Sequence, residues 1–205
     1  GSLPPDQVTA DLKAACDYVQ KLPACNGKVA VGGFCWGGTQ TFRFVSQHAG
    51  VKAGFVFYGS GSEDERELTK IQAPVYGFYG GNDARVNATV PKSETLMKKV
   101  GKAYEPVIYE GADHGFMRAG EDPAGSPENK KARETAWQRL KQLLNQMRHS
   151  TTTSAMASHL ERVGWHRLQF LPFLASRGRY GQPSTTRSLS CDQLSTLFQL
   201  QVIAR

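Results

Sequence analysis

The stretch Lys28-Val29-Ala30-Val31-Gly32-Gly33-Phe34-Cys35-Trp36-Gly37-Gly38 decides the fold. Residues 28–33 form a short apolar run that stops abruptly at glycine, the pattern of a buried strand, and residues 36–49 read as a helix. The spacing G-x-C-x-G-G at a strand-to-helix turn is that of a nucleophile elbow with Cys where Ser is more usual. Such a bend forces the nucleophile into a strained conformation, and small residues at Gly33 and Gly37 let the chain close around it. The sulfur then lies at the positive end of the following helix, which favours thiolate. The backbone N–H of Trp36 points where an oxyanion would form.

Outward from the elbow the pattern repeats. Val8, Leu12, Ala15 and Val19 recur at helical spacing after Pro4-Pro5, with Pro23 and Asn26-Gly27 ending that helix. Further strands are expected at 53–58, 74–79 and 106–109, and a helix at 89–101. A last amphipathic helix carries Trp137, Leu140, Leu144 and Met147 on one face, and the acidic run 63–67 reads as a solvated loop. Apolar strands alternating with helices describe an α/β fold, a parallel sheet of about four strands covered on both faces. Chemistry in such sheets sits in the loops at the carboxyl ends of the strands.

Those loops hold Cys35, then Gly81-Asn82-Asp83, then Ala112-Asp113-His114-Gly115-Phe116. The order Cys35, Asp83, His114 is the nucleophile–acid–base order of α/β-hydrolases. His114 would move the proton, and Asp83 would fix its tautomer. Asp113 competes as the acid by adjacency to His114, and Asp83 could instead serve only to form a turn. Cys35 could be a small buried hydrophobe. Trp36 could line a substrate pocket or pack on the sheet. Cys16 and Cys25 read as structural or merely exposed thiols, and His48 as a helix-end residue that complements the dipole.

With these motifs the sequence resembles the dienelactone hydrolase family over about residues 6–148. The G-x-C-x-G-G elbow, the downstream Asp loop and the Asp/Ser-His-Gly-Phe-type loop carry the resemblance, and the Cys elbow makes it specific. It implies hydrolysis of a lactone or carboxylic ester, of the carboxymethylenebutenolidase type, through a cysteine nucleophile. It also implies that Arg118 binds a substrate carboxylate, a task suited to a guanidinium fork. In the family an N-terminal portion precedes this region. It supplies several strands, a second oxyanion donor, a glutamate that modulates the Cys and another carboxylate-binding arginine. None of them is expected in this chain, so the strand at 28–33 is expected to carry an unpaired edge. A broader esterase or thioesterase, or a catalytically deficient fragment, is the alternative.

Composition bounds the remainder. The chain has 205 residues, of which 40% are hydrophobic and 21% charged, enough to fill a core. No apolar run approaches the ~20 residues of a membrane span, and the start shows no secretory signal. Residues 1–148 carry 19 basic and 16 acidic side chains, whereas residues 149–205 carry six Arg, no Lys and two acidic groups. The basic charge is therefore concentrated at the end and scattered singly, unlike a nucleic-acid-binding module. Residues 1–148 are expected to form the partial hydrolase domain and 149–205 an irregular Arg/Ser-rich tail. Four cysteines without metal-ligand spacing point to a reducing compartment, here the cytoplasm. No metal or organic cofactor, nucleic acid or membrane partner is expected, only a small lactone or ester substrate, with a monomer implied by the resemblance.

Overall fold

Three of the apolar runs are buried along nearly their whole length, so they settle in the middle of a sheet with both faces covered. The computed structural model describes residues 3–160 and 200–204. In it β1 (Val29–Phe34), β2 (Val51–Phe57), β3 (Val75–Gly80) and β4 (Tyr104–Tyr109) pair in parallel in the order β4-β3-β2-β1. The intervening helices are α1 (Pro5–Gln20), α2 (Trp36–Gln47), α3 (Glu65–Leu68), α4 (Ala84–Asn87), α5 (Val90–Lys99) and α6 (Phe116–Ala119), followed by α7 (Pro127–Leu160). The expected α/β architecture, a four-stranded parallel sheet flanked by helices, is the one observed.

Strand alternation divides the core in two. Val29, Val31, Val56 and Tyr79 join Leu12 and Cys16 of α1, Phe42 and Val45 of α2 and Met97 of α5. Ala30, Phe55, Phe57 and Phe78 face the other way and pack with Ala132, Ala136, Leu140 and Leu143 of α7. On that second face Phe34, Phe57 and Phe78 stack across three neighbouring strands, with centroid separations of 4.6 and 4.3 Å. This aromatic ladder stiffens the sheet under its carboxyl edge.

Three expectations need revision. The acidic run contains the one-turn helix α3, because Asp64 Oδ1 accepts from the Arg66 N–H at 2.8 Å and Lys92 and Lys99 pair with Glu63 and Glu65. The last helix continues past residue 148 to Leu160, since no Gly or Pro in 149–160 interrupts it. The outer edge of β1 is not bare: β5 (Leu200–Ala204) pairs with it antiparallel, Val31 opposite Val202. An apolar, partly β-branched segment suits an open row of backbone donors and acceptors. The rest of the expected irregular tail, 161–199, lies outside the described residues. Two compact units result, Gly1–His149 with Phe198–Arg205, and Ser150–Leu197; of the second, the described residues are the helical 150–160. No described helix is long and apolar enough to cross a membrane.

Candidate active site

Register brings the strand ends together. Phe34 of β1 lies opposite Phe57 of β2, Phe57 opposite Phe78 of β3, and Gly80 of β3 opposite Tyr109 of β4. The chain segments leaving β1, β3 and β4 therefore emerge along one edge of the sheet, and these carry Cys35, Asp83 and His114.

Cys35 has φ +54° and ψ −120°, a conformation that non-glycine residues seldom adopt, worth about 1–3 kcal/mol of strain. It is held from both sides. Its N–H donates to the Phe57 carbonyl at 2.9 Å, and its carbonyl accepts from the Thr39 N–H at 3.2 Å. Close backbone packing makes the bend possible. A methyl on Gly33 would meet the Gly37 carbonyl oxygen at 2.2 Å, and one on Gly59 would meet the Thr39 nitrogen at 2.3 Å. Trp36 opens α2, so its N–H has no intrahelical partner, and its side chain is 41% exposed. Trp36 is thus an exposed residue beside the cysteine.

Asp83 is buried and caps α4, with Oδ1 accepting from the Val86 N–H at 3.3 Å. Its Oδ2 lies 2.5 Å from His114 Nδ1, and His114 Nε2 lies 3.2 Å from Cys35 Sγ. A carboxylate on Nδ1 favours the tautomer with the proton there, which leaves Nε2 free to exchange a proton with the sulfur. Asp113 faces elsewhere. Its carboxylate accepts from Asn129 Nδ2 at 2.9 Å and Asn82 Nδ2 at 3.1 Å, and these donors, the Asn129 amide foremost, hold its pKa below the ordinary aspartate value. The carboxylate on the histidine is thus that of Asp83. Arg118 is exposed on α6, and its charge reaches the Tyr58 hydroxyl.

Sequence reasoning passed over Tyr58. It directly follows β2, between the strands that carry Cys35 and Asp83, with φ +39°. It is 4% exposed. Its ring meets His114 edge-on at 5.1 Å and Phe116 at 5.4 Å. Burial, and then the nearby Cys35, push its hydroxyl well above the ordinary tyrosine pKa, while Arg118 pulls the other way. The signal was available: Tyr58 ends a central strand, where the same rule that singled out the other loops applies. Among the described residues no three His, Cys, Asp or Glu side chains converge to hold a metal ion.

Comparison with known proteins gives the same direction. A protein of Saccharolobus solfataricus described as a carboxymethylenebutenolidase is 31% identical over 142 residues, 69% of this chain and 52% of its own. One of Methylorubrum extorquens, described in the same way, is 32% identical over 56% of this chain and 43% of its own. The chain thus spans about half the length of these curated relatives. A crystal structure of a Klebsiella pneumoniae protein described as a dienelactone hydrolase superposes with a TM-score of 0.59 at 26% identity, covering 68% of this chain and 60% of that one. The dienelactone hydrolase family model matches residues 2–148, from the first helix through the elbow, both site loops and the helix packed behind them, and it is to this family that the chain belongs.

Proposed function

We propose that the chain carries the nucleophilic centre of a carboxylic ester or lactone hydrolase, with Cys35 as nucleophile, His114 as general acid–base and Asp83 as the group that orients it. One observation carries this reading: His114 bridges a positive-φ cysteine at 3.2 Å and a buried aspartate at 2.5 Å. Family membership, and the names its relatives bear, support the substrate class.

The chemistry proceeds in two halves. The thiolate of Cys35 attacks the acyl carbon, and the carbonyl electrons move onto oxygen, toward the N–H of Trp36. As the tetrahedral species collapses, the C–O bond breaks and His114 Nε2–H delivers its proton to the leaving alkoxide. In a lactone that alkoxide stays attached to the acyl chain, so the ring opens without product loss. Water, deprotonated by His114, then attacks the thioester, and the carboxylic acid leaves as the thiolate returns. Arg118 binds an anionic group on the substrate, in keeping with the resemblance and with its exposure on α6. No cofactor takes part. A thiolate nucleophile persists best in a reducing compartment, and Cys16, Cys25 and Cys35 are free thiols, in keeping with a cytoplasmic enzyme.

The test is hydrolysis of a dienelactone and of a nitrophenyl ester by this chain and by Cys35→Ala. Turnover lost in the variant is expected. Equal turnover in both proteins would overturn the assignment of the nucleophile. Arg118→Ala is expected to raise KM for the carboxylate-bearing lactone and leave that for the neutral ester alone; equal effects on both would remove Arg118 as the anion-binding group.

A further inference from the structure

His114 stands in a short loop with glycines in the left-handed region on both sides, Gly111 at φ +72° and Gly115 at φ +79°. Glycine confers conformational freedom on both flanks, and the imidazole itself is about one-third exposed. The hydrogen bond to Asp83 and the Tyr58 ring locate the side chain but not the backbone that carries it.

Main-chain bonds hold part of that backbone, Asn82 N–H donating to the Ala112 carbonyl at 2.9 Å and Phe116 N–H to the Asp113 carbonyl at 3.2 Å, and a set of side-chain polar groups ties it further. Asn129, in the first turn of α7, is 4% exposed, and its side-chain amide is engaged at both ends. Oδ1 accepts from the Asp113 N–H at 2.9 Å, and Nδ2 donates to Asp113 Oδ2 at 2.9 Å. Asn82 reaches the same carboxylate from the other loop, donating to Asp113 Oδ1 at 3.1 Å and to the Gly111 carbonyl at 2.9 Å. Residues 82 and 113 each immediately precede a site residue, Asp83 and His114. The bridge Asn82–Asp113–Asn129 therefore ties the segment bearing the acid to the segment bearing the base, and both to a helix anchored in the core. A buried amide engaged at both its oxygen and its nitrogen is expensive to leave unpaired, which makes the tie rigid.

Resting on the proposed catalytic reading, we infer that Asn129 and Asp113 are positioning residues. Through the loop backbone they set the distance from His114 Nε2 to Cys35 Sγ, and hence the reactivity of the thiol. Neither touches substrate or sulfur. A purely structural role would give variants that unfold more easily and keep the Cys35–His114 pair intact while folded.

The experiment reads that pair directly, without turnover. Iodoacetamide alkylation of the full chain is followed by mass spectrometry peptide by peptide at neutral pH, with Cys25 as the internal standard for exposure. It compares wild type, Asn129→Ala, Asp113→Ala, His114→Ala and the double variant Asn129→Ala/His114→Ala, each confirmed folded by circular dichroism at the assay temperature. His114→Ala should slow alkylation of Cys35 and not that of Cys25. Asn129→Ala and Asp113→Ala should slow it too, on the order of tenfold, with no added loss in the double variant. Asn129→Asp, which keeps the shape but sets a second carboxylate against Asp113, should be at least as slow; it also serves where Asn129→Ala fails to fold. If His114→Ala slows Cys35 but the folded Asn129 and Asp113 variants react like wild type, the inference falls and the catalytic reading stands. If His114→Ala itself changes nothing, the catalytic reading falls, and the inference with it.

Discussion

Replacing Gly33 by alanine tests how the elbow is held. The new methyl carbon would lie 2.2 Å from the Gly37 carbonyl oxygen, 2.4 Å from its carbon and 2.7 Å from Thr41 Oγ1. Even a short carbon–oxygen contact sits at about 3.3 Å, so backbone must give by ~1 Å, because the two nearest atoms are main chain. Overpacking of this kind costs about 1–3 kcal/mol, here at the upper end because the clash is with main chain. At ~2–4 °C per kcal/mol for a domain of this size, Tm should fall by roughly 5–10 °C. The displaced first turn of α2 carries Cys35 with it. A 1 Å shift of a reacting group can cost on the order of 10² in rate, so Cys35 alkylation and ester turnover should drop together. Gly27→Ala is the control: it has φ +80° and no atom within 4 Å of the added carbon. It should lose only the left-handed penalty of ~1–2 kcal/mol and keep Cys35 reactivity unchanged. A Gly33→Ala protein with wild-type Tm and wild-type alkylation would refute the account of the elbow.

Asp83→Asn should keep the cap on α4 through its remaining carbonyl oxygen but favour the opposite histidine tautomer, cutting turnover by on the order of 10²–10⁴ with KM little changed, as steady-state kinetics would show. Tyr58→Phe preserves the edge-on ring against His114 and should stay within about threefold of wild-type turnover. Tyr58→Leu removes it and should lose ~3–10-fold, the worth of an aromatic pair; equal rates would deny the ring a role. Burial pushes Tyr79 up to about 12, and its partner Tyr104, 2.7 Å away, higher still. Unfolded tyrosines lose their protons near 10, so this pair stabilises the fold below that pH and the contribution is lost as pH rises from 10 through 12. Tyrosinate absorbance should accordingly show these two titrating together with unfolding, and a single wave near 10 in folded protein would contradict their burial. Val202→Pro removes a backbone donor from the β5–β1 ladder, and hydrogen exchange should then accelerate along β1 rather than β3.

The sheet and the loops that hold the candidate site were legible because they rest on local signals. Apolar runs ending at glycine marked β1 and β3, and the rule that chemistry follows strands led to Cys35, Asp83 and His114. What was not legible depends on partners far away in sequence. Chain order favoured Asp83 over Asp113, but what occupies Asp113 was not legible: the amides of Asn82 and Asn129 hold its carboxylate. The strand-end rule could have flagged Tyr58, but its contact with His114 is set by the neighbouring strands and not by local sequence. Ala132 and Ala136 of α7 were missed as core residues because small side chains carry little hydropathy signal, yet they are what lets the helix approach the sheet. The β5 pairing was invisible for another reason: five residues without caps or sustained period say nothing until an unpaired edge is available to them.

The compactness of the site in the sheet bears on what half the length of a curated relative can hold. Cys35, Tyr58, Asp83 and His114 follow β1, β2, β3 and β4, and those strands are neighbours in unbroken order. Among the described residues, the hydrogen bonds that hold Cys35, His114, Asp83 and Asp113, from the Phe57 carbonyl on Cys35 to the Asn129 amide on Asp113, join residues between 33 and 129. Pairing and orientation of the proposed nucleophile thus draw on hydrogen bonds within this stretch. Stabilising the oxyanion is a different matter: this stretch offers the N–H of Trp36 at the elbow, and each oxyanion donor is worth about 10²–10³ in kcat. The two functions separate experimentally: alkylation reads the pairing and orientation of Cys35, ester turnover reads the oxyanion site as well, and thiol reactivity should be fully developed in this chain. A chain whose Cys35 alkylates no faster than Cys25 would show instead that the nucleophile, too, depends on groups outside residues 33–129.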